Sequence, residues 1–570
     1  MSHSDPPARR IQAELVAERH QRFLASQGLR TAQGSFYTPL DVVERIVTLA
    51  LESNTFGITS SSQCPSVIDP ACGTGNFLIV AALQLTDRLV GAGMVPSEAI
   101  DLVVGQYIYG IDIDVEALDL CAENLSRLTD ERIPAIKIRE HLLQANALTT
   151  RNANAPTQLG FNLDEDAPKS WLDLFPEVFS GDDPGFDLVV GNPPFLNQLN
   201  DATKLELPIS TAITSAHGAM TNKMSNPSTV FILAAMALAK KNGVIALIQP
   251  LSFLATDDAN SVRTLLAKSS AVDYLWVCTE KVFDADVYVC GIVARIGSRG
   301  SADTKVVIGR QLQSIPEGGT IVLKPGTWSS ALTLAKGFPR IDLAIAGALE
   351  DLCTVSSDFR DQYYGLIGCV ADQEEFSVDR PRLATVGLID PGEFLWGKAT
   401  TRFAKNTYEH PVVITEKLAP EIMSWVKARQ VPKVLVATQT RVIEAWVDTD
   451  GHTLPSVPLV TVIAAQQDLW KVAAVLSAPP IALHAADQFL GAGLSPDALK
   501  LNGRNLLALP LPKDEVQWEL GAHKFELMQA LPAGQRRQES LLDFGVTMCL
   551  AYEVSPDAVM PWWTNRLPHR

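Results

Sequence analysis

Short apolar runs alternate with helical patterns in the first half of the chain. The first run, over residues 66–69, is followed by a glycine-bearing turn and an apolar helix predicted over about 77–88. Two further apolar runs end at Asp112 and at Gly191. Strands that alternate with helices in this way predict an α/β domain with a Rossmann-like parallel sheet.

The pattern changes beyond about residue 330. Short β-rich runs such as 412–414 and 434–437 are separated by turns, and amphipathic helical patterns follow over 518–531 and 539–552. The sequence therefore predicts a second, mixed α+β domain followed by C-terminal helices. The aromatic run at 561–563 either docks a partner or anchors a terminal helix.

Turn-rich stretches suggest where the domains begin and end. Polar loops are expected over about 150–185 and 197–226, and the turn at 297–301 suggests the end of the first domain. The expected organisation is a helical lead-in over 1–30, an α/β domain over 31–300, a second domain over 301–515 and a helical segment over 516–570.

Composition narrows the class of protein. A chain of 570 residues with 47% hydrophobic content can bury the cores of several domains. It has no apolar run of 18 residues, and residues 1–30 are polar and charged, so we expect a cytoplasmic protein that does not bind membranes. Eight cysteines without a CxxC pair favour buried free thiols over disulfides or a metal site.

The formal net charge of −17 opposes nonspecific coating of nucleic acid, which needs concentrated Lys and Arg. One stretch has the opposite sign, because residues 401–445 contain seven basic residues and four acidic ones. We expect a DNA-facing surface there, and the alternative is a solvated face with scattered charges. The basic residues are Arg402, Lys405, Lys417, Lys427, Arg429, Lys433 and Arg441.

The turn after the first apolar run has the features of a nucleotide pocket. Gly73 and Gly75 would let the backbone approach a ligand closely, and the helix that follows offers free N–H groups. Asp112, at the end of the next run, could accept hydrogen bonds from both ribose hydroxyls. An adenosine-type ligand fits, although such a turn is also an ordinary tight connection. The sequence lacks the GxGxxG and GxxxxGK[ST] motifs of pyrophosphate-binding proteins.

The turn after the third run indicates the chemistry. Pro193 and Pro194 stiffen it and lack backbone donors, so it presents carbonyl oxygens beside the Asn192 amide. An aromatic amine is a weak nucleophile because its lone pair is delocalised into the ring. Accepting its two hydrogens at Asn192 Oδ1 and the Pro193 carbonyl favours a more nucleophilic geometry, and Phe195 can stack on a base.

Together, the motifs over 69–78, 110–114 and 191–195 resemble those of the gamma group of DNA adenine-N6 methyltransferases. The upstream stretch 34–40 is similar to that group's N-terminal cofactor motif, and residues 243–254 and 281–289 resemble its later motifs. The resemblance implies a seven-stranded methyltransferase domain, S-adenosylmethionine as cofactor, and a C-terminal target-recognition domain. It also implies that the target adenine is flipped out of the duplex.

The resemblance further implies a set of site residues. Cofactor contacts are expected from Tyr37, Thr38, Asp69, Gly73, Gly75, Asp112 and Asn146. The flipped base is expected to be held by Asn192, Pro193, Phe195 and Phe283, the first three forming the catalytic turn. Two positions depart from the common pattern, because Asn146 replaces an acid and Phe195 replaces a tyrosine, although Phe also occurs in the family.

Other functions remain open at this point. An NPP-aromatic turn also serves methylation of amines in RNA and of glutamine side chains in proteins, and a catalytically silent DNA-binding scaffold could retain the fold. The sequence contains no convincing nuclease motif, so a nuclease or other defence-system subunit is expected as a separate polypeptide. Double-stranded DNA is the expected partner, in a restriction-modification or related phage-defence system.

Overall fold

The computed structural model describes two compact units, Met1–Ala335 and Lys336–Arg570. The described residues are 38–53, 64–150, 170–195, 211, 213, 226–283, 287–298, 303–315, 318–357, 360–493 and 495–568. The expected lead-in over 1–30, Tyr37, and most of the expected loop over 197–226 lie outside the described residues.

The first unit is built on one sheet, whose strands are connected mainly by helices. Its strands are β1 (Val67–Asp69), β2 (Ile108–Asp112), β3 (Leu142–Gln144), β4 (Phe186–Gly191), β5 (Ala239–Pro250), β6 (Ser270–Val277), β7 (Val289–Ile296), β8 (Thr304–Ile308), β9 (Gln313–Ser314) and β10 (Thr320–Ile321). Its helices are α1 (Leu40–Ser53), α2 (Asn76–Gly91), α3 (Pro96–Gln106), α4 (Val115–Leu128), α5 (Ala135–Ile138), α6 (Trp171–Leu174), α7 (Pro176–Phe179), α8 (Pro227–Leu238), α9 (Asn260–Ser269) and α10 (Ser329–Ala335).

The strand order is β3-β2-β1-β4-β5-β7-β6-β8-β10, with β9 paired to β8. Strands β1 to β5 pair in parallel, and β7 runs antiparallel between β5 and β6. The seven-stranded Rossmann-like sheet expected from the sequence is therefore confirmed, and β8, β9 and β10 extend it. Strands β2 and β3 lie on one side of β1, and β4 and β5 lie on its other side. The position between β1 and β4 is therefore the switch point of the sheet, where ligands bind in open α/β folds.

Burial explains the apolar runs of the central strands. Each residue of β1 is buried, and five of the six residues of β4 are buried as well. Strands covered by helices on both faces are expected to be this apolar. Helix α1 packs the apolar side chains Val42, Val43 and Val47 into the same core.

The first unit continues past residue 300, where the sequence led us to expect a domain boundary. Strand β8 pairs in parallel with β6, and β10 pairs with β8, so both belong to the same sheet. A turn-rich stretch marks a change of direction, and in this chain the next segment returns to the sheet edge.

The second unit contains several small sheets. Its strands are β11 (Ile345–Ala348), β12 (Cys353–Ser357), β13 (Val370–Asp372), β14 (Arg382–Ala384), β15 (Ile389–Asp390), β16 (Glu393–Phe394), β17 (Thr401–Phe403), β18 (Asn406–Tyr408), β19 (Pro411–Val413), β20 (Lys433–Ala437), β21 (Glu444–Asp448), β22 (Thr453–Pro455), β23 (Val460–Ala464) and β24 (Pro510–Pro512). Two four-stranded sheets, β12-β23-β20-β21 and β13-β19-β14-β22, form most of it. This unit is the mixed α+β domain predicted from the sequence.

Helices complete the second unit. They are α11 (Arg360–Leu366), α12 (Pro420–Arg429), α13 (Leu469–Ser477), α14 (Pro479–Phe489), α15 (Gly503–Leu507), α16 (Glu515–Ala530), α17 (Gln535–Ala551) and α18 (Pro556–Thr564). The predicted C-terminal helices are α16 and α17, and they belong to the same compact unit as the small sheets. In α18, Trp563 is buried against Val442 and Ala482, which supports the anchoring interpretation of the aromatic run.

All eight cysteines are buried free thiols, as predicted. Within the described ranges, no single helix is long and apolar enough to cross a membrane. Helices α13 and α14 meet the length and composition criteria only as a pair, and they are bent by 60° at their junction.

Two of the seven basic residues in the stretch 401–445 are not on the surface. Arg402, Lys405, Lys417, Lys427 and Arg441 are exposed. The expectation of a DNA-facing role is wrong for Lys433 and Arg429, because both side chains are buried. Arg429 Nη2 donates to Ser356 Oγ at 2.5 Å, and Lys433 Nζ lies 2.5 Å from Asp448 Oδ2.

The Lys433–Asp448 ion pair is fully buried. Burial raises the pKa of Asp448 to about 6 and lowers the pKa of Lys433, so each charge depends on the other for compensation. Asp448 Oδ2 also accepts the backbone N–H of Thr453 at 3.1 Å, which ties the ion pair to strand β22. The pair is therefore a structural element of the second unit.

We expect Lys433→Met to lower the free energy of unfolding by about 3 kcal/mol, because it leaves the Asp448 carboxylate buried without its ammonium partner. Urea denaturation measures the change. The matched control is Lys427→Met, since Lys427 is exposed on α12 and its replacement should change the free energy by less than about 0.5 kcal/mol. Equal losses in the two variants would contradict the assignment.

Candidate functional site

The site begins with the turn between β1 and α2. Asp69 ends β1, and its Oδ1 accepts the backbone N–H of Ala71 at 2.9 Å. Gly73 and Gly75 have φ of +51° and +94°, a region that favours glycine. A Cβ on Gly75 would lie 2.6 Å from Cys121 Sγ, so this position also requires glycine for space. The turn thus presents main chain at the start of α2.

Asp112 links this turn to the end of the neighbouring strand β2. Its Oδ2 accepts the N–H of Gly73 at 2.8 Å, and its Oδ1 accepts the N–H of Asp114 at 3.0 Å. Burial raises the pKa of Asp112, and these two N–H donors act in the opposite direction by favouring the carboxylate. The carboxyl group therefore helps to hold the glycine turn in place.

Asp69 is the more deeply buried of the two acids, with 2% of its surface exposed. Burial raises its pKa to about 8, and the Asp112 charge adds to this effect, whereas the Ala71 N–H opposes it. A buried carboxyl with a pKa in this range is typical of functional sites, where a bound ligand supplies compensation.

The polar turn after β4 lies beside Asp69, because β1 and β4 are adjacent parallel strands. A Cβ on Gly191 would lie 2.7 Å from Asp69 Oδ1. Glycine at this position therefore allows the two strand ends to approach each other. Pro193 is buried and Asn192 is half-buried, which fixes the start of the turn.

Asn192 is held by a residue that precedes α1. Its Nδ2 donates to Thr38 Oγ1 at 2.9 Å, and Thr38 has 3% of its surface exposed. The structure thus brings together the N-terminal motif and the Asn192 turn, which are 154 positions apart in the chain. The resemblance assigns Thr38 to the cofactor, so this contact was not predicted.

Phe195 and Phe283 also lie together, with ring centroids 6.3 Å apart and planes at 65°. Phe283 has 6% of its surface exposed, and Phe195 packs against the same core cluster. The two rings contact each other edge to face. A flat ring could be stacked between them only after the rings turn toward parallel.

Asn146 follows β3 at the same edge of the sheet. Its Oδ1 accepts the N–H of Leu148 at 3.1 Å, and its carbonyl accepts from the Thr149 and Thr150 hydroxyls at 3.2 and 3.0 Å. The bond between Oδ1 and the Leu148 N–H closes an Asx turn, which is the ordinary alternative to a ligand contact. The contact between the Asn146 amide oxygen and the cofactor's adenine amine stays a prediction.

Sequence reasoning missed Asn124. This residue is fully buried on α4, and its Nδ2 donates to the carbonyl of Thr74 at 3.1 Å, between the two glycines of the turn. The signal available in the sequence is an asparagine within the apolar face of a helix. Buried amides require partners, so such a residue points to a nearby backbone carbonyl that needs fixing.

The arrangement brings Asp69, Asp112 and the glycine turn together at one edge of the sheet. Asp112 lies where a ribose is bound in Rossmann-like sheets, and Asp69 offers a buried carboxyl. The described residues contain no group of three or more His, Cys, Asp and Glu side chains that could hold a metal ion.

Residues 106–283 match the family of Eco57I restriction-modification methylases. This segment is less than a third of the chain, and it includes β2, Asn146, the Asn192 turn and Phe283. A curated relative, the Type II methyltransferase M.BstVI of Geobacillus stearothermophilus, is 28% identical over 172 residues. The aligned part is 29% of this chain and 25% of the relative.

The chain resembles the restriction-modification methylases. The resemblance inferred from the motifs is confirmed at this level. The aligned segment covers only about a quarter of the length of this curated relative. The activity and partners of the whole protein are therefore proposals.

Solved structures of restriction-modification enzymes share the fold. The Type IIL enzyme MmeI in complex with DNA has a TM-score of 0.55 and 14% identity, covering 90% of this chain and 73% of that one. A nuclease-deletion mutant of the Type ISP enzyme LlaGI, in complex with a DNA substrate mimic, has a TM-score of 0.53 and 13% identity. That match covers 91% of this chain and 57% of the other. At such identities the likeness concerns the fold alone.

We expect Gly191→Ala to lower the free energy of unfolding by about 1–3 kcal/mol, because the added methyl group collides with Asp69 Oδ1 at the end of β1. Chemical denaturation measures the loss. Gly181→Ala is the matched control, since a Cβ there meets no atom within 4 Å. A variant at position 191 as stable as the control would show that the strand ends separate easily.

The buried carboxyl of Asp69 predicts a pH-dependent stability. The folded chain binds this proton more tightly than the unfolded chain, because the pKa of Asp69 is raised to about 8 from 3.8. Its ionisation therefore destabilises the ligand-free fold increasingly between about pH 4 and pH 8. Asp69→Asn removes this penalty. We expect its free energy of unfolding to exceed that of wild type by about 2–4 kcal/mol at pH 9 and to be similar to that of wild type near pH 4.

Thermal and urea denaturation across this pH range measure the effect of Asp69→Asn. Asp87→Asn is the control, because Asp87 is exposed on α2. A difference between Asp69→Asn and wild type that stays constant with pH would contradict a buried, protonated Asp69.

Proposed function

We propose that this protein is a site-specific DNA adenine-N6 methyltransferase that uses S-adenosylmethionine and base flipping. We further propose that it is the modification component of a restriction-modification or related phage-defence system. The observation that carries the proposal is the position of the Asn192–Pro193 turn, which follows β4 directly beside the Asp69 turn at the switch point of the sheet. An amine-accepting turn and a nucleotide-type turn thus share one edge.

The chemistry of the target fits this turn. The exocyclic amine of adenine has two hydrogens, which Asn192 Oδ1 and the Pro193 carbonyl would accept. Accepting both hydrogens favours a geometry in which the nitrogen lone pair is available for attack. Pro193 is buried, its φ is fixed by its ring and its ψ is restricted by the following Pro194, which limits the movement of its carbonyl.

S-adenosylmethionine would supply a methyl group on a positively charged sulfonium. Asp112 and the Gly73–Gly75 turn would hold its adenosine part, and ionised Asp69 would offset positive charge on the ligand. Asn146 and Tyr37 are further cofactor contacts implied by the resemblance, which also implies one from Thr38, although the Thr38 hydroxyl is bonded to Asn192 in this structure.

Base flipping follows from the depth of the site. An amine inside a duplex cannot reach the sheet edge, so the nucleotide has to rotate outward at a cost of a few kcal/mol. Phe195 and Phe283 would offset part of that cost by stacking, at about 1–3 kcal/mol per base. Because the two rings now meet edge to face, at least one of them would have to turn for the base to stack between them.

DNA as the substrate is supported by the relatives, because MmeI and LlaGI were both solved with DNA or a DNA mimic. In the second unit, Arg402 and Lys405 are exposed on the β17–β18 hairpin, where they could contact phosphates. This unit is proposed as the target-recognition domain, and a nuclease subunit as a separate partner.

The test is methyl transfer from labelled S-adenosylmethionine to unmethylated genomic DNA, with the product nucleoside identified. We expect N6-methyladenine from wild type and at least a ~100-fold lower rate from Asn192→Ala. Asn260→Ala is the matched control, because Asn260 is exposed at the start of α9, and it should match wild type.

Each other outcome points away from the proposal. Methylated RNA or protein with unmodified DNA would indicate a different amine substrate. Cofactor binding without transfer to any of these would indicate a silent scaffold or a missing subunit. An active Asn192→Ala variant would exclude the proposed turn as the site of reaction.

A further inference from the structure

The hydrogen bond between Thr38 and Asn192 has a direction that bears on the reaction. The Asn192 amide is planar, and its Nδ2 and Oδ1 lie on opposite sides of the group. Because Nδ2 donates to Thr38 Oγ1, Oδ1 is turned away from Thr38. Rotation of the amide by half a turn would exchange an acceptor for a donor at the position where an amine would be held.

Thr38 is placed firmly enough to hold the amide plane, and its hydroxyl, which can also donate to an amide oxygen, accepts from Nδ2 in this structure. The Pro39 carbonyl accepts the N–H groups of Val42 and Val43 at 3.1 and 3.2 Å, so α1 begins at Leu40, two residues after Thr38. Val42 and Val43 have 0% of their surface exposed, which anchors this helix start in the core. The β-branched Thr38 side chain also has few rotamers, and the following proline restricts its backbone.

The partner of the Thr38 hydroxyl differs from that of the buried Thr86 hydroxyl on α2. Thr86 Oγ1 bonds to the Ala82 carbonyl within its own helix. Thr38 instead uses its oxygen on a side chain 154 positions away, at the end of a different strand. This hydrogen bond joins the N-terminal motif to the Asn192 turn through two side chains. The sequence of neither motif alone indicates that the two side chains are partners.

We propose that Thr38 is a positioning residue, which holds the Asn192 carboxamide with Nδ2 toward α1 and Oδ1 toward the target amine. The inference rests on the proposed function, because it assumes that Asn192 Oδ1 accepts from the amine. It differs from the cofactor contact implied for Thr38 by the resemblance. A positioning residue affects the rate of methyl transfer, whereas a cofactor contact affects the affinity for S-adenosylmethionine.

The test compares Thr38→Val with Thr38→Ser. Valine keeps the shape of threonine without the oxygen, and serine keeps the oxygen. We expect Thr38→Val to lower the single-turnover rate on genomic DNA about 10- to 100-fold, with the Kd for S-adenosylmethionine within about 2-fold of wild type. Thr38→Ser should recover the rate to within about 3-fold of wild type. Thr86→Val controls for burying a valine in this unit.

A second measurement is independent of activity. Neutron crystal structures of wild type and Thr38→Val, in which the amide hydrogens are visible, would show whether the Asn192 amide keeps its orientation. We expect the Thr38 contact in wild type and a rotated or disordered amide in the variant. An unchanged amide, or a Thr38→Val variant with the wild-type rate, would overturn the inference.

The remaining outcomes separate the two proposals. A Kd for S-adenosylmethionine raised 10-fold or more with an unchanged rate would assign Thr38 to the cofactor and overturn the positioning role. A wild-type protein that methylates no DNA would overturn the proposed function and, with it, the target-amine part of the inference. The orientation of the Asn192 amide would then be decided by the two crystal structures alone.

Discussion

The close approach of two strand ends, at Asp69 and Gly191, is the constraint on which the site depends. Strand order reverses between β1 and β4, so the turns that follow them diverge from neighbouring positions and leave a crevice between them. The missing side chain of Gly191 leaves room for the Asp69 carboxyl, and that carboxyl in turn fixes Ala71 in the glycine turn. Any side chain at 191 would move an acid that organises the neighbouring turn.

Much of the first unit could be predicted because its signals are local. The apolar runs that end at Asp69, Asp112 and Gly191 are buried strands, and the helix after Gly75 begins where its pattern begins. Glycine and proline turns encode backbone geometry directly in residue type. The extension of the sheet by β8 to β10 was not predictable in this way, because strand pairing at a sheet edge depends on distant partners.

Partnerships between distant side chains were likewise not predictable. Thr38 and Asn192 each stand in a recognisable motif, and nothing in either motif specifies the other residue. Asn124 shows the same limit, since its sequence position indicates a buried amide but not the Thr74 carbonyl that it fixes. Lys433 is the clearest case, because a lysine in a basic stretch is expected on the surface, and only the fold reveals Asp448 beside it.

The aromatic pair and the Asn192 turn differ in how much each would have to rearrange to bind a base. The Asn192 amide is already oriented by Thr38, and Pro193 has a fixed φ, so the acceptors need little rearrangement. Phe195 and Phe283 contact each other edge to face at 65°, so this pair has to rearrange before a base can stack between the rings. In the proposed reaction, part of the binding free energy of the base would be used to separate the aromatic pair. A base that stacks poorly would not offset that cost, even though the two acceptors are already in place. Discrimination between bases would then arise partly from stacking and partly from the two acceptors, which favour an exocyclic amine over a carbonyl.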